Sequence, residues 1–415
     1  MDMKRSKGTT DFYPEDILIR NYIFDILRQV ANSYNFKEIE SPALESLELL
    51  TKKEGEEIRQ QIFTLEKRGD ERYGLRFDLT IPATRMFIQI QKSIPKPVKW
   101  FYLSNMWRYE QPQYGRQREF YQFSAELFGV EKIYADAEII SLAIDLLLSL
   151  GLKKGDFFVR LNSRNILEGL LTGFINKDRL YDIFKIIDKK TKIPERDFKK
   201  ELVELGLPEH TINSVLGILN IDSVDKIIAK NEMAQRGIAE INSILNLLYD
   251  RKEFIKVDLT TVRGLAYYTG IVFEIFDSEN KYRSIAGGGR YDNLVELLGG
   301  QRTPATGFAI GYSTLTILLK DKGLLPQQKL ETDYFIAMTN VELRVVGNKI
   351  ANSLRKKYSV EIDITGKNLN SQLRYANSIN AKKVVIVGEK ELKDGMALVR
   401  EMDTGKERRI KIEEI

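Results

Sequence analysis

The sequence comprises 415 residues, of which 43% are hydrophobic and 30% charged, a composition that excludes collagen-like, disordered and membrane-spanning classes. At roughly 150 residues per domain, this length predicts two to three domains. The absence of cysteine excludes disulfide scaffolds, thiolate zinc sites and iron–sulfur clusters, and the single histidine, His210, excludes the two-histidine zinc motif. The net charge of +5 is compatible with a nucleic-acid partner but does not identify one.

The N-terminal segment and the hydropathy pattern favour a cytoplasmic protein. Residues 1–16 are polar and lack the apolar core of a secretory signal. No run of the sequence approaches the ~18 apolar residues that cross a bilayer. We therefore expect a cytoplasmic location and no membrane partner.

The first 150 residues alternate helical and strand patterns. Apolar residues at helical spacing predict a helix over 14–34. Two aromatic stretches with period-two alternation, 96–110 and 118–130, predict an antiparallel hairpin around the loop 111–117, which contains Pro and Gly. A further helix is predicted over 136–150.

The remaining sequence predicts an inserted helical segment and a separate C-terminal domain. Residues 165–251 carry Leu, Ile, Lys and Glu at helical spacing and few aromatics, whereas strand patterns return after residue 251. Alternating β and α patterns follow a polar linker that contains Pro326. We therefore predict an α+β core formed by 1–164 with 252–325, a helical insertion at 165–251, and a C-terminal α/β domain at 331–415.

The predicted hairpin has one apolar and one polar face, because successive strand residues point to opposite sides. The polar side chains fall on one shared face: Arg108, Glu110, Gln122, Ser124 and Glu126. Patterning alone favours a solvated face of an antiparallel sheet. Arg116 and Arg118 of the loop offer an alternative, because guanidinium groups above such a face suit the geometry of a phosphate.

A second segment, 263–270, places Arg263 before the adjacent tyrosines Tyr267 and Tyr268 in an apolar strand pattern. Strand alternation lets only one of the two tyrosines point into a site. An aromatic pair in the core with a surface arginine explains the pattern equally well.

Three other features are weak signals when taken singly. The glycines of 287–289 match neither a Walker loop nor a dinucleotide fingerprint, and we expect them in a tight turn or bulge. Residues 75–80 are expected to place Arg76 and Asp78 on one strand face. His210 follows a helix-start signal and is expected at the surface.

Together these segments resemble the class II histidyl-tRNA synthetase family. The matching segments run along the chain in order: F-K-E-I-E-S-P (36–42), L-R-F-D-L-T (75–80), W-R-Y-E (107–110), G-R-x-R-E-F-Y-Q (115–122), R-G-L-A-Y-Y-T-G (263–270) and G-G-G-R-Y-D (287–292). The arginine–tyrosine–tyrosine segment is the most specific. The resemblance implies a class II antiparallel sheet flanked by helices, with a helical insertion and a C-terminal anticodon-binding domain.

The activity implied by the resemblance is a ligation of L-histidine to histidine tRNA at the expense of ATP. The histidine carboxylate attacks the α-phosphate, and the acyl group then passes to the 3′-terminal adenosine of the tRNA. Preorganised cations would stabilise the charge that develops on the phosphates. The resemblance further implies Mg²⁺ carried mainly by the ATP phosphates, no protein-held metal, zinc or haem, and a homodimer with the region around Pro42 at its interface.

For the amino acid, the resemblance assigns roles residue by residue. The α-ammonium group would be held by Asp78, Thr80 and Gln122. Glu126 and Tyr268 would bracket the two imidazole nitrogens, with Tyr267 near the same pocket. A site that pairs both nitrogens rejects analogues strongly, so no editing domain is needed.

For ATP and tRNA, the resemblance assigns roles to residues of the hairpin and of segment 263–270. Arg108 would contact the α-phosphate, and Arg263 would bridge it and the histidine carboxylate, so these two are the expected catalytic residues. The remaining assignments are Arg116 on the outer phosphates, Glu110 beside the nucleotide, Phe120 stacked on adenine and Gln113 on the tRNA. A solvated loop residue is the alternative for Gln113.

Two positions depart from the family pattern. The third shared motif usually ends in Gly-aliphatic-Glu-Arg, whereas residues 311–314 read Gly-Tyr-Ser-Thr, so an arginine that contacts ATP is missing. Ala266 stands where aspartate is common. The missing arginine keeps one alternative open, a histidine-binding regulatory subunit of ATP phosphoribosyltransferase. That relative generally lacks the C-terminal domain and several catalytic residues, both of which are expected here.

Overall fold

The computed structural model describes residues 3–52, 56–67, 69–263, 267–327 and 329–415. The chain divides into two compact units, one formed by Met1–Asp11 with Arg20–Leu325 and the other by Phe12–Ile19 with Pro326–Ile415. The cut before Pro326 lies in the polar linker. The separation of residues 165–251 as a domain of their own stays a prediction.

The first 150 residues, most of which belong to the larger unit, alternate helices and strands. Their elements are α1 (Pro14–Ser33), β1 (Lys37–Glu38), β2 (Leu44–Ser46), α2 (Leu47–Thr51), α3 (Glu56–Gln61), β3 (Tyr73–Leu75), α4 (Thr80–Ile90), β4 (Val98–Trp107), β5 (Glu119–Phe128) and α5 (Tyr134–Ser149). The predicted helices and the aromatic hairpin are confirmed, since β4 and β5 pair antiparallel from Val98↔Phe128 to Trp107↔Glu119.

The expectation of a strand over residues 75–80 is wrong. Strand β3 ends at Leu75, and helix α4 begins at Thr80. The physical reason is local, because Asp78 Oδ1 accepts a hydrogen bond from the amide of Ile81 at 3.3 Å. A carboxylate that satisfies a first-turn amide favours the start of a helix.

The remainder of the larger unit contains the helical segment and the strands that complete the sheet. Its elements are β6 (Phe157–Ser163), α6 (Arg164–Leu171), α7 (Leu180–Ile187), α8 (Glu195–Glu204), α9 (Glu209–Leu219), α10 (Glu232–Leu247), β7 (Ile255–Val257), β8 (Ile271–Asp277), β9 (Ala286–Arg290), α11 (Leu294–Leu297), β10 (Ala305–Gly311) and α12 (Tyr312–Asp321). Buried side chains such as Ile183, Phe198 and Val215 form the core of the helical segment. His210 is exposed in the first turn of α9, as expected.

Within the described residues, eight strands form one sheet in the order β1-β4-β5-β10-β9-β8-β6-β7. The outer pairs β1–β4 and β6–β7 are parallel, and the inner pairs are antiparallel. The polar face of the β5 segment is covered rather than solvated, and Thr80 at the start of α4 contacts it through Glu126. Gln122, Ser124 and Glu126 are only 7%, 2% and 1% exposed, so the solvated-face interpretation is wrong.

The expectation of a turn or bulge at residues 287–289 is also wrong, because these glycines lie in the interior of β9. Strand β9 is paired on both sides, with β8 and β10. A Cβ on Gly288 would overlap the carbonyl oxygen of Gly307, and one on Gly287 would overlap the guanidinium of Arg263. Glycine is needed here because a neighbouring strand and a side chain approach the backbone closely.

A buried ion pair joins the end of β9 to the start of α5. Arg290 Nε donates to Asp136 Oδ2 at 2.9 Å, and the two side chains are 8% and 1% exposed. Arg290 Nη1 also donates to the carbonyl of Val130 and to Asp292 Oδ1, both at 3.0 Å. The pair therefore holds the chain in place immediately before Tyr291.

The smaller unit is an α/β domain, as predicted. Its elements after the linker are β11 (Thr332–Met338), α13 (Arg344–Leu354), β12 (Val360–Ile362), α14 (Leu369–Ser378), β13 (Ala381–Val387), α15 (Glu389–Lys393), β14 (Met396–Glu401) and β15 (Glu407–Lys411). Strands β12, β11 and β13 are parallel, and the terminal β14–β15 hairpin extends the sheet antiparallel. Over the described ranges of the chain, no helix is long and apolar enough to cross a bilayer.

Removing the Arg290 guanidinium should destabilise the fold strongly, because Asp136 would remain buried without its partner. We expect Arg290→Met to lower the free energy of unfolding by about 3–5 kcal/mol, measured by urea unfolding. Arg236→Met serves as the control, since Arg236 pairs with Glu240 and is 74% exposed. Its loss should cost less than about 1 kcal/mol, and equal losses in the two variants would contradict the structural role of Arg290.

Candidate active site

A buried carboxylate, Glu126, lies at the centre of the sheet and is held by hydroxyl groups from three elements. Thr80 Oγ1 and Tyr102 OH donate to Glu126 Oε1 at 2.9 and 3.0 Å, and Tyr291 OH donates to Oε2. Burial raises the pKa of Glu126 to about 7, although the three hydroxyl hydrogen bonds lower it. The group therefore titrates near neutral pH.

The hydrogen-bond pattern leaves one acceptor position open on Glu126. An ionised carboxylate offers about four lone-pair sites, two on each oxygen. Thr80 and Tyr102 use both sites of Oε1, whereas Tyr291 uses one site of Oε2. A Cβ on Gly307 would overlap Oε2, so glycine at that position of β10 keeps this oxygen accessible.

A second buried carboxylate, Asp78, has an oxygen without a partner among the described residues. Oδ1 accepts from the Ile81 amide, but Oδ2 is buried and accepts no hydrogen bond. Burial raises the pKa of Asp78, and the positive charge of Arg108 lowers it. A buried acceptor without a donor is costly, so Asp78 is suited to receive a cationic ligand.

Arg108, Phe120 and Gln122 lie along one face at the end of the hairpin that the loop closes. Arg108 Nε donates to the carbonyl of Phe77 at 2.9 Å, and its Cζ lies 5.2 Å from the centroid of the Phe120 ring. Gln122 Nε2 donates to Ser124 Oγ at 2.9 Å. Sequence alternation places these residues on the face that carries Glu126, and the register of β4 with β5 agrees.

The loop between β4 and β5 carries an ion pair between Arg116 and Glu110. The two side chains are 33% and 10% exposed. Gln113 is exposed, and its backbone pairs with that of Arg116 to form the tip of the loop. The loop thus holds Arg116, which is partly exposed, next to the Glu110 carboxylate.

Tyr267 and Tyr268 both lie close to the site, but not on a strand. Strand β8 begins only at Ile271, so the expectation of a strand over both tyrosines is wrong and alternation does not apply to them. Their rings are 4.9 Å apart, and the Tyr267 ring packs edge-on against Tyr291 at 5.8 Å. Tyr268 is 7% exposed; burial raises its pKa, and the nearby charge of Glu126 raises it further.

Arg263 is held in a left-handed backbone conformation, with φ of 54°. Its Nη1 lies 3.5 Å from Glu274 Oε1, and its Cζ lies 5.7 Å from the ring centroid of Tyr268. Burial lowers the pKa of Arg263, but the surrounding acidic groups together raise it more, so the net shift is upward; they are Tyr268, Glu274, Tyr267 and Asp188. The Nε group is buried and has no partner in the described part of the chain, so it can donate to an anion. Ala266 lies outside the described residues.

The segment at 311–314, where the family arginine is missing, forms the junction of β10 and α12. Thr314 is 7% exposed, and a Cβ on Gly115 would lie 3.6 Å from its Oγ1. Ser313 Oγ donates to Gln117 Oε1 at 3.5 Å. One neighbour of Arg116, Gln117, therefore contacts the start of α12, and the other, Gly115, lies close to it.

Sequence reasoning missed two residues of this site, Tyr102 and Tyr291. Tyr102 has the same strand parity as Arg108, so the hairpin pattern already placed it on the polar face. Its aromatic ring favoured a core assignment instead. Tyr291 follows the glycine-rich strand directly, and only the sheet order shows that this strand is separated from β5 by no more than one strand, β10.

The raised pKa of Glu126 predicts a pH-dependent stability. Because its folded-state pKa of about 7 exceeds the ordinary value of 4.5, the folded protein binds this proton more tightly than the unfolded chain does. The free energy of unfolding should therefore fall as pH rises from about 4.5 to about 7, by roughly 3 kcal/mol from this group. Glu126→Gln should lack that contribution in urea unfolding at a series of pH values.

Only the difference between the two pH profiles reports Glu126, because both proteins keep Asp136, whose pKa burial raises to about 6. Parallel profiles over this pH range would show that Glu126 titrates like a solvated carboxylate, against its burial and contacts.

Comparison with known proteins shows the family. The family model described as histidyl-tRNA synthetase matches residues 8–315, and the one described as anticodon binding domain matches residues 333–415. The histidine–tRNA ligase of Pyrococcus furiosus is 39% identical, over 100% of this chain and 98% of its own length. That of Haloarcula marismortui is 39% identical, over 97% of this chain and 94% of its own length.

A solved structure of a histidyl-tRNA synthetase also matches this chain. The crystal structure of histidyl-tRNA synthetase from Nostoc sp. PCC 7120 matches with a TM-score of 0.79 at 25% identity, and the match covers 100% of this chain and 99% of that one. The match to curated ligases along the whole chain, anticodon-binding domain included, does not favour the regulatory-subunit alternative. The chain belongs to the histidyl-tRNA synthetase family of aminoacyl-tRNA ligases.

Proposed function

We propose that this protein activates L-histidine with ATP and transfers the histidyl group to the 3′ end of histidine tRNA. The observation that carries the proposal is the pair of buried carboxylates with open acceptor positions, Asp78 and Glu126. Their charges interact with each other, and that of Asp78 interacts with Arg108. Such a site is suited to a small ligand that bears an ammonium group and a further N–H donor.

The α-ammonium group of histidine would bind at Asp78 Oδ2. This oxygen is buried without a donor, and an ammonium group supplies both the missing hydrogen bond and a compensating charge. Thr80 Oγ1 donates to Glu126, so its lone pairs remain available to accept from the same ammonium group. The side-chain oxygen of Gln122 offers a third acceptor.

The imidazole ring would lie between Glu126 and Tyr268. Neutral imidazole has one donor and one acceptor nitrogen. The N–H would donate to the open position on Glu126 Oε2, and the Tyr268 hydroxyl would donate to the other nitrogen, with Tyr267 packed beside it. An amino acid without two ring nitrogens would leave one of these buried groups unpaired. Discrimination against such an amino acid can reach ~10⁴-fold.

The charged residues around this pocket suit the activation step. A carboxylate oxygen of histidine attacks the α-phosphorus, the bond to the β-phosphate breaks, and pyrophosphate leaves. Arg108 would stabilise the charge on the α-phosphate, and the buried Nε of Arg263 would donate to the phosphate or the carboxylate. Phe120 would stack on adenine beside Arg108.

The outer phosphates of ATP would be bound by Arg116, which must then exchange its pairing with Glu110. Mg²⁺ enters with ATP on the phosphate oxygens, and the Glu110 carboxylate that Arg116 releases is the type of ligand this ion prefers. Because Gln117 contacts the start of α12 and Gly115 lies close to it, we further propose that Arg116 serves in place of the missing arginine at position 314.

In the second step, a ribose hydroxyl of the terminal adenosine attacks the acyl carbon and AMP leaves. The C-terminal unit would bind the anticodon, and Gln113 at the loop tip would contact the acceptor end. We also propose a homodimer that uses the region around Pro42, and a cytoplasmic site of action, where these substrates occur together.

The amino acid specificity is tested by ATP–pyrophosphate exchange with each of the twenty amino acids. Histidine should support exchange, and every other amino acid should react slower by at least about 10³-fold, because it leaves Glu126 or Tyr268 unpaired. Exchange with another amino acid at a comparable rate would overturn the pocket assignment. No exchange with any amino acid would overturn the proposed activity.

The role of Arg263 is tested by Arg263→Ala in the same assay. Loss of a preorganised cation should reduce histidine-dependent exchange by about 10²–10³-fold, with a circular-dichroism spectrum like that of the wild type. Arg251→Ala is the matched control, since Arg251 is similarly exposed, at 24%, and pairs with Asp145 on α5. A similar loss in both variants would show that Arg263 acts through the fold rather than on the substrates.

A further inference from the structure

The N-terminal residues 4–10, called here the strap, lie across the base of the loop between β4 and β5. The carbonyl of Gly8 accepts a hydrogen bond from the amide of Arg118 at 2.7 Å. Gln117 Nε2 donates to Thr10 Oγ1. One backbone and one side-chain hydrogen bond thus attach the strap to the loop.

Gly8 shapes the strap for this contact. The amide and the hydroxyl of Thr9 both donate to the carbonyl of Ser6, at 3.2 and 2.8 Å, and close a turn. Gly8 has φ of 85°, which position i+2 of a type II turn requires. A Cβ there would approach Arg118 Cγ to 2.8 Å and Pro112 Cγ to 3.0 Å. A larger residue would therefore push the strap off the loop.

The strap and the loop are strongly basic. The strap carries three exposed cationic side chains: Lys4, Arg5 and Lys7. The strap contains three basic residues and no acidic one, and the loop, residues 108–118, contains three basic residues and one acidic residue, Glu110. Tyr114, at the tip of the same loop, is 76% exposed. Cations that neutralise phosphates, combined with an exposed ring on which a base stacks, are the features that bind single-stranded nucleic acid.

The strap also lies next to the proposed ATP site. The carbonyl of Arg118 accepts from the amide of Arg108 at 2.8 Å, so Gly8 is attached to a residue that pairs directly with Arg108. An RNA strand that follows the strap would therefore reach the α-phosphate region. Adenylate formation uses no RNA, so a surface that binds RNA would affect only the transfer step.

We propose that the strap binds the phosphate backbone of the tRNA acceptor strand and guides its 3′ end to the active site. This inference rests on the proposed ligase function. The alternative anion is the triphosphate of ATP, and the two differ in the step they affect. RNA binding changes only the charging of tRNA, whereas ATP binding also changes pyrophosphate exchange.

The charges are tested in the full-length protein by the triple variant Lys4→Gln/Arg5→Gln/Lys7→Gln. We expect the KM for histidine tRNA to rise at least about tenfold, while ATP–pyrophosphate exchange changes less than about twofold. The slope of log(kcat/KM) for tRNA against log[salt] should become shallower by about 2, because each lost phosphate contact removes about 0.7–0.9 from it. A misfolded protein would not alter this slope selectively.

Two further variants separate the charge from its position. Gly8→Ala keeps every cation but detaches the strap, and it should raise the KM for tRNA in the same direction. Lys153→Gln/Lys154→Gln/Lys281→Gln removes the same charge from other exposed positions of this unit and should leave both assays unchanged.

The inference is overturned if the triple strap variant leaves the KM for tRNA unchanged, or if it lowers pyrophosphate exchange as much as charging. It is also overturned if Gly8→Ala has no effect, or if the control triple variant acts equally. Absence of histidine-dependent exchange in the wild-type protein would instead overturn the proposed function, so the two failures are distinguishable.

Discussion

The burial of the Glu126 carboxylate is the constraint on which the rest of the active site depends. A carboxylate that is 1% exposed loses its hydration, and this cost is met by hydroxyl groups from α4, from β4 and from the residue after β9. These three positions are separated in the chain. The fold must therefore bring them together before the Glu126 carboxylate can accept its hydrogen bonds. One acceptor site remains, and a ligand that fills it completes the arrangement.

The glycine-rich strand β9 is the second feature on which the position of this carboxylate's partners depends. It must approach β10 and β8 closely and also leave room for the Arg263 guanidinium over Gly287. At its end, the Arg290–Asp136 ion pair holds Tyr291 in the position from which it reaches Glu126. A strand built from glycine is weak by itself, and its pairing on both sides compensates for that weakness.

The site breaks several local rules of stability in one place. Asp78 has an unpaired buried oxygen, Arg263 combines a left-handed backbone with an unpaired buried nitrogen, and Glu126 titrates near neutral pH. Such violations are expected where a protein is preorganised for a charged ligand rather than for stability. The Arg116–Glu110 pair in the loop is likewise suited to a charged ligand. Arg116 can bind the phosphates of Mg²⁺–ATP, and Glu110 can bind the metal ion.

Elements whose cause is local can be predicted from the sequence. The hairpin, the helical segment, the C-terminal α/β domain and the family resemblance follow from periodicity and short motifs, and these were confirmed. The tertiary structure decided which polar residues are buried and what they contact. Period-two alternation places Gln122 and Glu126 on one face, but only the tertiary contacts from Thr80 and Tyr291 show that this face is buried and bonded. The hairpin pattern gives the face of Tyr102, but Tyr291 could not be assigned from the sequence, because a hydrogen bond between residues far apart in the chain depends on strand order, which a local pattern does not encode.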